Sequence, residues 1–208
     1  MVKSTWNQLI NSLDPTHLLQ TSQWAETKVR VGWTPYYLAW HGQTNDLELL
    51  ISDKGEFDPG PLKAAALVLK RNVFPGISVL YVPKGPLFVD WNDSDLRNRV
   101  IGDLENFAKT QRAVQIKIDP DVILGIGIPG SDDVEDDPNG MNIVQEITAR
   151  GWLFSPEQIQ FRNTVLIDLL ADEDQILSRM KSKTRYNIRL SSRKGVQTRL
   201  GNAADLKT

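Results

Sequence analysis

Two rhythms of apolar positions alternate along this chain. Strand-forming runs stand at YYLAWH (36–41), LELLIS (47–52), AAALVLKR (64–71), ISVLYV (77–82), AVQIKID (113–119) and FRNTVLIDL (161–169), and GQTND and DKGEFDPGP supply turns between the early ones. Helical spacing occupies Thr5–Leu13 and Gln20–Arg30. The second of these has cap signals at Thr21 and Ser22, Trp24 and Lys28 one turn apart, and a break at Gly32 and Pro35. Ser94–Thr110 places Leu96, Val100 and Leu104 on one face, and Asn142–Arg150 reads as a helix stopped by Gly151. A last helix opens at Asp172–Gln175 in the manner of a loose capping box and ends at Lys194–Gly195. The order of elements predicts an α/β domain, an α+β pattern with a mixed sheet. GSDDVEDDPNG (130–140) is acidic and turn-forming and is expected to be disordered. There is no internal repeat.

Charge changes the picture at the last helix. Residues 1–174 hold 15 Lys or Arg against 25 Asp or Glu, a formal charge of −10. From Gln175 to Ala204 there are eight basic residues and no acid. Read as one helix, this segment puts Lys181, Arg185, Arg189 and Arg193 on one face beside an apolar row of Ile176, Met180, Thr184 and Ile188. No Glu at i±4 neutralises the stripe, which favours a phosphate-bearing partner over a merely solvated face.

The 208 residues, 40% hydrophobic and 24% charged, are those of an ordinary globular protein. No run approaches a membrane span and the start lacks an apolar signal core, so the expectation is a cytoplasmic protein. The absence of cysteine excludes disulfides, thiolate metal sites and thiol nucleophiles. Two histidines, His17 and His41, leave little for a zinc cluster or a serine triad. GIGIPG (125–130) fits a dinucleotide fingerprint on paper, but five acids and a proline follow it where a helix N-terminus should receive pyrophosphate. The aspartates of SDDVEDD match no calcium loop, and no metal is expected.

Two strand ends carry better candidates. YVPKGPLF (81–88) closes a strand with a Pro-Lys-Gly-Pro turn, where Gly85 permits close backbone approach and Lys84 projects. KIDPD (117–121) ends another with Asp119, restricted by the following proline. Strand ends are where open sheets place ligand-binding groups.

QTSQWAETK (20–28), YVPKGPLF (81–88), IKIDPD (116–121) and MKSKTRYNIRLSSRKGV (180–196), in this order and at these separations, resemble the FemABX family of peptidoglycan bridge-forming aminoacyltransferases. The resemblance implies a GCN5-related N-acetyltransferase-like domain, the first of two. It would span residues 1–171, with a basic helix at its edge (172–196) and the start of a linker to a second, absent domain (197–208). It implies transfer of an amino acid from aminoacyl-tRNA to the stem peptide of a lipid-linked or nucleotide-linked peptidoglycan precursor, with no cofactor. The protein would be cytoplasmic or peripheral at the inner face of the plasma membrane, in contact with its membrane-bound substrate. By position, Lys28 matches the family's phosphate-contacting lysine and Asp119 an acid that binds the precursor. Lys84 and Gly85 fall in its K/R-G-P turn, and Arg185 and Arg189 in its K-x-R-x-x-I-R helix. All six are expected to bind substrate, and the catalytic residues are expected in the second domain. Two other classes stay open: an acetyl-CoA-dependent N-acetyltransferase, which would need a glycine-rich pyrophosphate loop, and a tRNA-binding module without chemistry.

Overall fold

A computed structural model describes residues 4–43, 46–57, 60–128, 130–165, 169–202 and 205. They form two compact units, Met1–Gln160 and Phe161–Thr208.

The first unit is built on a mixed sheet. Its long strands are β2 (Thr34–Gln43), β3 (Asp46–Ser52), β5 (Leu62–Phe74), β6 (Ile77–Val82) and β8 (Ala113–Ile118), in the order β3-β2-β5-β6-β8. Short strands flank them: β1 (Ser4–Thr5) on β4 (Glu56–Phe57), β7 (Leu87–Phe88) on β5, and β9 (Gly125–Ile126) on β10 (Glu135–Asp136). The neighbours from β3 to β6 pair antiparallel, and β8 joins β6 parallel, with Val82 opposite Ile118. A parallel partner needs a crossover, which the helix α3 (Ser94–Thr110) supplies. The mixed α/β architecture read from the sequence is the one found.

Both faces of the sheet are covered, which explains the unbroken apolar run AAALVL at its centre. Strands buried on two sides lose the polar alternation. Ala64, Ala66 and Val68 face one cluster with Leu38, Trp40, Leu80 and Val82, packed by Leu96, Val100, Leu104 and Phe107 of α3. Ala65, Leu67 and Leu69 face the other with Tyr37, Tyr81 and Leu87, packed by α1 (Trp6–Ile10) and α2 (Ser22–Val29). Trp40 is fully buried and donates its indole N–H to Asp103 Oδ2 of α3 at 2.8 Å, so the tryptophan packs without orphaning its donor. The helix α4 (Pro138–Ala149) is tied to α3 by Arg97, which reaches Glu146 and the Trp91 carbonyl.

Local chemistry moved several boundaries. The first helix is shorter than expected, and the second begins as a 3-10 turn, Leu18–Gln20, before α2. The acidic stretch expected to be disordered instead holds β10 and starts α4. Asp137 accepts from the amides of Asn139 and Gly140 at 2.8 and 3.0 Å, and Pro138 takes a first-turn position where its missing N–H costs nothing.

The second unit contains α5 (Glu173–Arg179) and α6 (Ser182–Arg193), where a single helix was expected. The N-terminal cap is as read, with Asp172 accepting from the Gln175 amide at 2.8 Å. Met180 and Lys181, however, take ψ of 153° and 145°, extended values that end one helix and start the next. No glycine or proline announces this break. The Arg185 guanidinium, one turn into α6, donates to the carbonyls of Ser178 (3.0 Å) and Met180, which the interruption frees. The strand expected over 161–169 is absent from residues 161–165 and 169, and 166–168 lie outside the described residues. The described remainder of this unit offers no strand to pair with.

Candidate functional site

The parallel pair β6 and β8 brings two loops together at its carboxyl end. Beyond Val82 runs Pro83-Lys84-Gly85-Pro86, and beyond Ile118 runs Asp119-Pro120-Asp121. The Asp119 amide donates to the Gly85 carbonyl at 3.2 Å and stitches the loops together. Lys84 sits at φ +48°, an unusual conformation for a residue with a side chain, and its ammonium pairs with Asp121 Oδ1 at 3.1 Å. Tyr81, buried at the end of β6, donates its hydroxyl to Asp119 Oδ2 at 3.2 Å. Burial is the largest influence on this phenol and pushes its pKa far up, so it remains a donor at any physiological pH. That bond orients the carboxyl.

Gln20 holds the arrangement from behind. It is fully buried; its amide nitrogen donates to the Pro83 carbonyl and its oxygen accepts from the Leu67 amide at 2.7 Å. Its own carbonyl accepts the Trp6 indole N–H. Gly85 fits against this side chain because it has none. A Cβ there would stand 2.7 Å from Gln20 Nε2 and 2.9 Å from Cδ. The glycine is thus required by close approach, as its place in the turn suggested.

His17 completes the cluster. Its Nδ1 accepts from the Leu19 amide at 3.0 Å, which leaves Nε2 to carry the proton of the neutral ring. Burial lowers its pKa most; Asp121 and Asp119 act against that and Lys84 with it, so the ring lies in the field of all three. One end of the pair therefore presents an ammonium, two carboxyls, a phenol and an imidazole.

Lys28 belongs to the same helical layer but not to this cluster. The helix α2 starts beside Gln20 and ends where the Trp33 amide donates to the Lys28 carbonyl at 3.1 Å, at the start of β2. Eight helical residues rise about 12 Å, so Lys28 and the Pro83–Pro86 turn lie roughly a helix length apart. The Lys28 ammonium stands 4.6 Å from the centroid of the Trp24 ring, with both side chains half-buried. Among the described residues no carboxylate pairs with it. The one-turn spacing of Trp24 and Lys28 in the sequence is what lets the ammonium reach the indole.

Lys84, Gly85 and Asp119 are therefore brought together, Lys28 stands at the other end of α2, and Arg185 and Arg189 lie on α6 in the second unit. Arg185 is engaged with its own chain's carbonyls, whereas Arg189 is exposed. Sequence reasoning missed Gln20, Tyr81, His17 and Asp121. Gln20, Tyr81 and Asp121 lie within the quoted motifs, so their neighbours could have pointed to them, but nothing in the sequence marks Gln20 as a buried fastener.

The described residues of GIGIPG form no strand-to-helix turn. Gly125 and Ile126 form β9, and Gly125 lets the Glu135 carbonyl approach within 2.8 Å of where a Cβ would stand. Among the described residues no helix is long and apolar enough to cross a membrane.

Proteins named lipid II:glycine glycyltransferase are similar to this chain. Those of Staphylococcus aureus strains MRSA252 and USA300 are each 25% identical over 198 residues, covering 92% of this chain and 40% of their own length. The chain thus spans about two fifths of the relatives it matches. A sequence model of the FemAB family, whose domains share the GCN5-related acyltransferase-like architecture, matches residues 2–208. A match over nearly every residue, on a mixed sheet whose parallel strand ends gather the motif residues, places this chain in the FemAB family.

Proposed function

We propose that this chain binds the acceptor in a peptidoglycan aminoacyl transfer, holding a lipid-linked or nucleotide-linked precursor so that an amine of its stem peptide meets an aminoacyl-tRNA ester. The observation that carries the reading is Lys28, a half-buried cation braced on Trp24 with no carboxylate partner among the described residues. Such a group favours an anion, and the precursor's pyrophosphate is one. The helix-length separation from Asp119 suits an extended ligand, with phosphates at Lys28 and the peptide's amine or amide groups near the Tyr81-oriented carboxyl. The similarity to lipid II:glycine glycyltransferases supports the same substrate class.

In the reaction the acceptor amine adds to the carbonyl of the aminoacyl ester. The amide bond forms as the ribose oxygen leaves, and the amine's surplus proton ends on that oxygen. The ester is already activated, so positioning and stabilisation of oxyanion charge are what a protein must add. This chain supplies positioning, through Lys28 and the Tyr81-oriented Asp119. Arg185 and Arg189 of α6 are cations suited to phosphate in the second unit's own right.

The test is calorimetric binding of a soluble nucleotide-linked precursor to the wild type, Lys28→Ala and Lys54→Ala, the last a loop lysine. Loss of a charge-assisted hydrogen bond of about 1.5–3 kcal/mol predicts a roughly ten- to hundredfold weaker Kd for Lys28→Ala alone. Equal affinity in all three proteins removes Lys28 from the site. Equal losses in both variants reduce it to general electrostatics.

A further inference from the structure

One end of the sheet gathers three segments of unlike origin. The starts of β2, β6 and β8 and the end of β5 coincide there, since Thr34 pairs with Lys70, Phe74 with Ile77 and Ser78 with Ala113. The segments are Lys28–Thr34 from the end of α2 onward, the hairpin Lys70–Ser78, and Lys109–Ala113 from the end of α3 onward. They are stitched by the Ser78 amide to the Arg112 carbonyl at 3.1 Å and by the Lys70 ammonium to Gln111 Oε1 at 2.9 Å.

Their composition departs from the rest of the unit. They contain six basic residues, Lys28, Arg30, Lys70, Arg71, Lys109 and Arg112, and no acid, although residues 1–174 carry a formal charge of −10. Arg30, Arg71, Lys109 and Arg112 are exposed. Arg71 lies over the Trp33 ring at 5.8 Å, which holds its guanidinium at this end. The same segments expose apolar side chains: Phe74, at the hairpin tip, is 69% exposed, and Val29, Val31 and Val73 are also out in solvent. A phenylalanine this exposed, in segments that carry six cations and no acid, contributes little to the core. It is the composition that suits an anionic bilayer surface, where apolar side chains enter the headgroup region and basic ones meet lipid phosphates.

We propose that this end of the domain docks on the anionic membrane surface, with Phe74 and its valine neighbours entering the interface. The docking rests on the acceptor-binding reading above and gives it an orientation. Lys28 is part of the same end, so its ammonium would stand at the depth of a lipid-linked pyrophosphate while the stem peptide runs inward along α2 toward Asp119.

The experiment is co-sedimentation of the full chain with vesicles of phosphatidylcholine alone or with 30% phosphatidylglycerol, in about 0.1 M salt, where screening extends over roughly 10 Å. Wild type should bind the anionic vesicles at least tenfold more strongly than the neutral ones. Phe74→Asp and Arg71→Glu/Arg112→Glu should each lose most of that binding. Circular dichroism should be unchanged, since these side chains are exposed, and Phe74→Asp should bind soluble nucleotide-linked precursor as wild type does. Equal binding to both vesicle types, or vesicle binding by Phe74→Asp equal to wild type, overturns the proposal. So does a self-associated state that Phe74→Asp dissolves without any wild-type vesicle binding. Failure of wild type to bind soluble precursor would instead remove the acceptor reading, and it is read independently of the vesicles.

Discussion

Replacing Gln20 by leucine keeps the size of a fully buried side chain while removing the two bonds it makes across the layer. The Leu67 amide, which donates to it at 2.7 Å, and the Pro83 carbonyl, which accepts from it, would both be left in a dry interior. An orphaned buried backbone group costs about 1–3 kcal/mol, so the two together cost about 2–6 kcal/mol. The added apolar burial of leucine offsets about 1–2 kcal/mol of that. The midpoints of these ranges leave a net loss of about 2–3 kcal/mol, a large part of the roughly 5–15 kcal/mol that holds a typical domain together. Urea titration measures it as a lower midpoint at unchanged slope. Gln20→Glu provides a second arm: it keeps an oxygen toward the Leu67 amide but sets another against the Pro83 carbonyl oxygen, so it should also destabilise. A loss under about 1 kcal/mol in both variants would refute the assignment of Gln20 as the fastener of the Pro83–Pro86 turn.

Gly85→Ala should destabilise by about 1–3 kcal/mol, since its methyl would meet Gln20 and also Val82 Cγ1 at 3.1 Å; it should cost far less when Gln20 is already alanine, which a double-mutant cycle of urea midpoints would show. Stability should fall as pH drops from 7 toward roughly 5.5, because burial lowers the pKa of both His17 and His41 below 6.5 in the folded chain, so the unfolded chain takes up more protons in that window. A flat profile there, or one that His17→Asn and His41→Asn leave unchanged, would count against that source.

Most of the fold was legible because it depended on short-range pattern. The five long strands of the sheet and α3 declare themselves through apolar rhythm, and Asp172 through its position before an acidic first turn. The misreadings share a different cause. The break at Met180–Lys181 frees carbonyls that Arg185, several residues away, satisfies, and the strand expected over 161–169 needs a neighbour that the described residues of this unit do not supply. The acidic stretch at 130–140 was read by composition, whereas Asp137 acts there through one well-placed oxygen. For the site, the turn and the strand-end acid were visible in the sequence. The oriented hydroxyl of Tyr81 and the amide of Gln20 were not, because only tertiary contact sets them against their partners.

The change of strand direction at β8 also bears on the order in which the chain assembles. Residues 34–82 form their ladders antiparallel, through connections of modest length, whereas the β6–β8 ladder waits for a crossover that includes all of α3. Closing that longer loop costs entropy before any contact offsets it, so the parallel ladder should form late. Asp119 meets Gly85 and Tyr81 only once it has formed. Substitutions in β8 should therefore speed unfolding with little effect on the folding rate, while those in β2 and β5 slow folding. The binding chemistry would then mature after the scaffold, and a chain caught midway would have a sheet but no site.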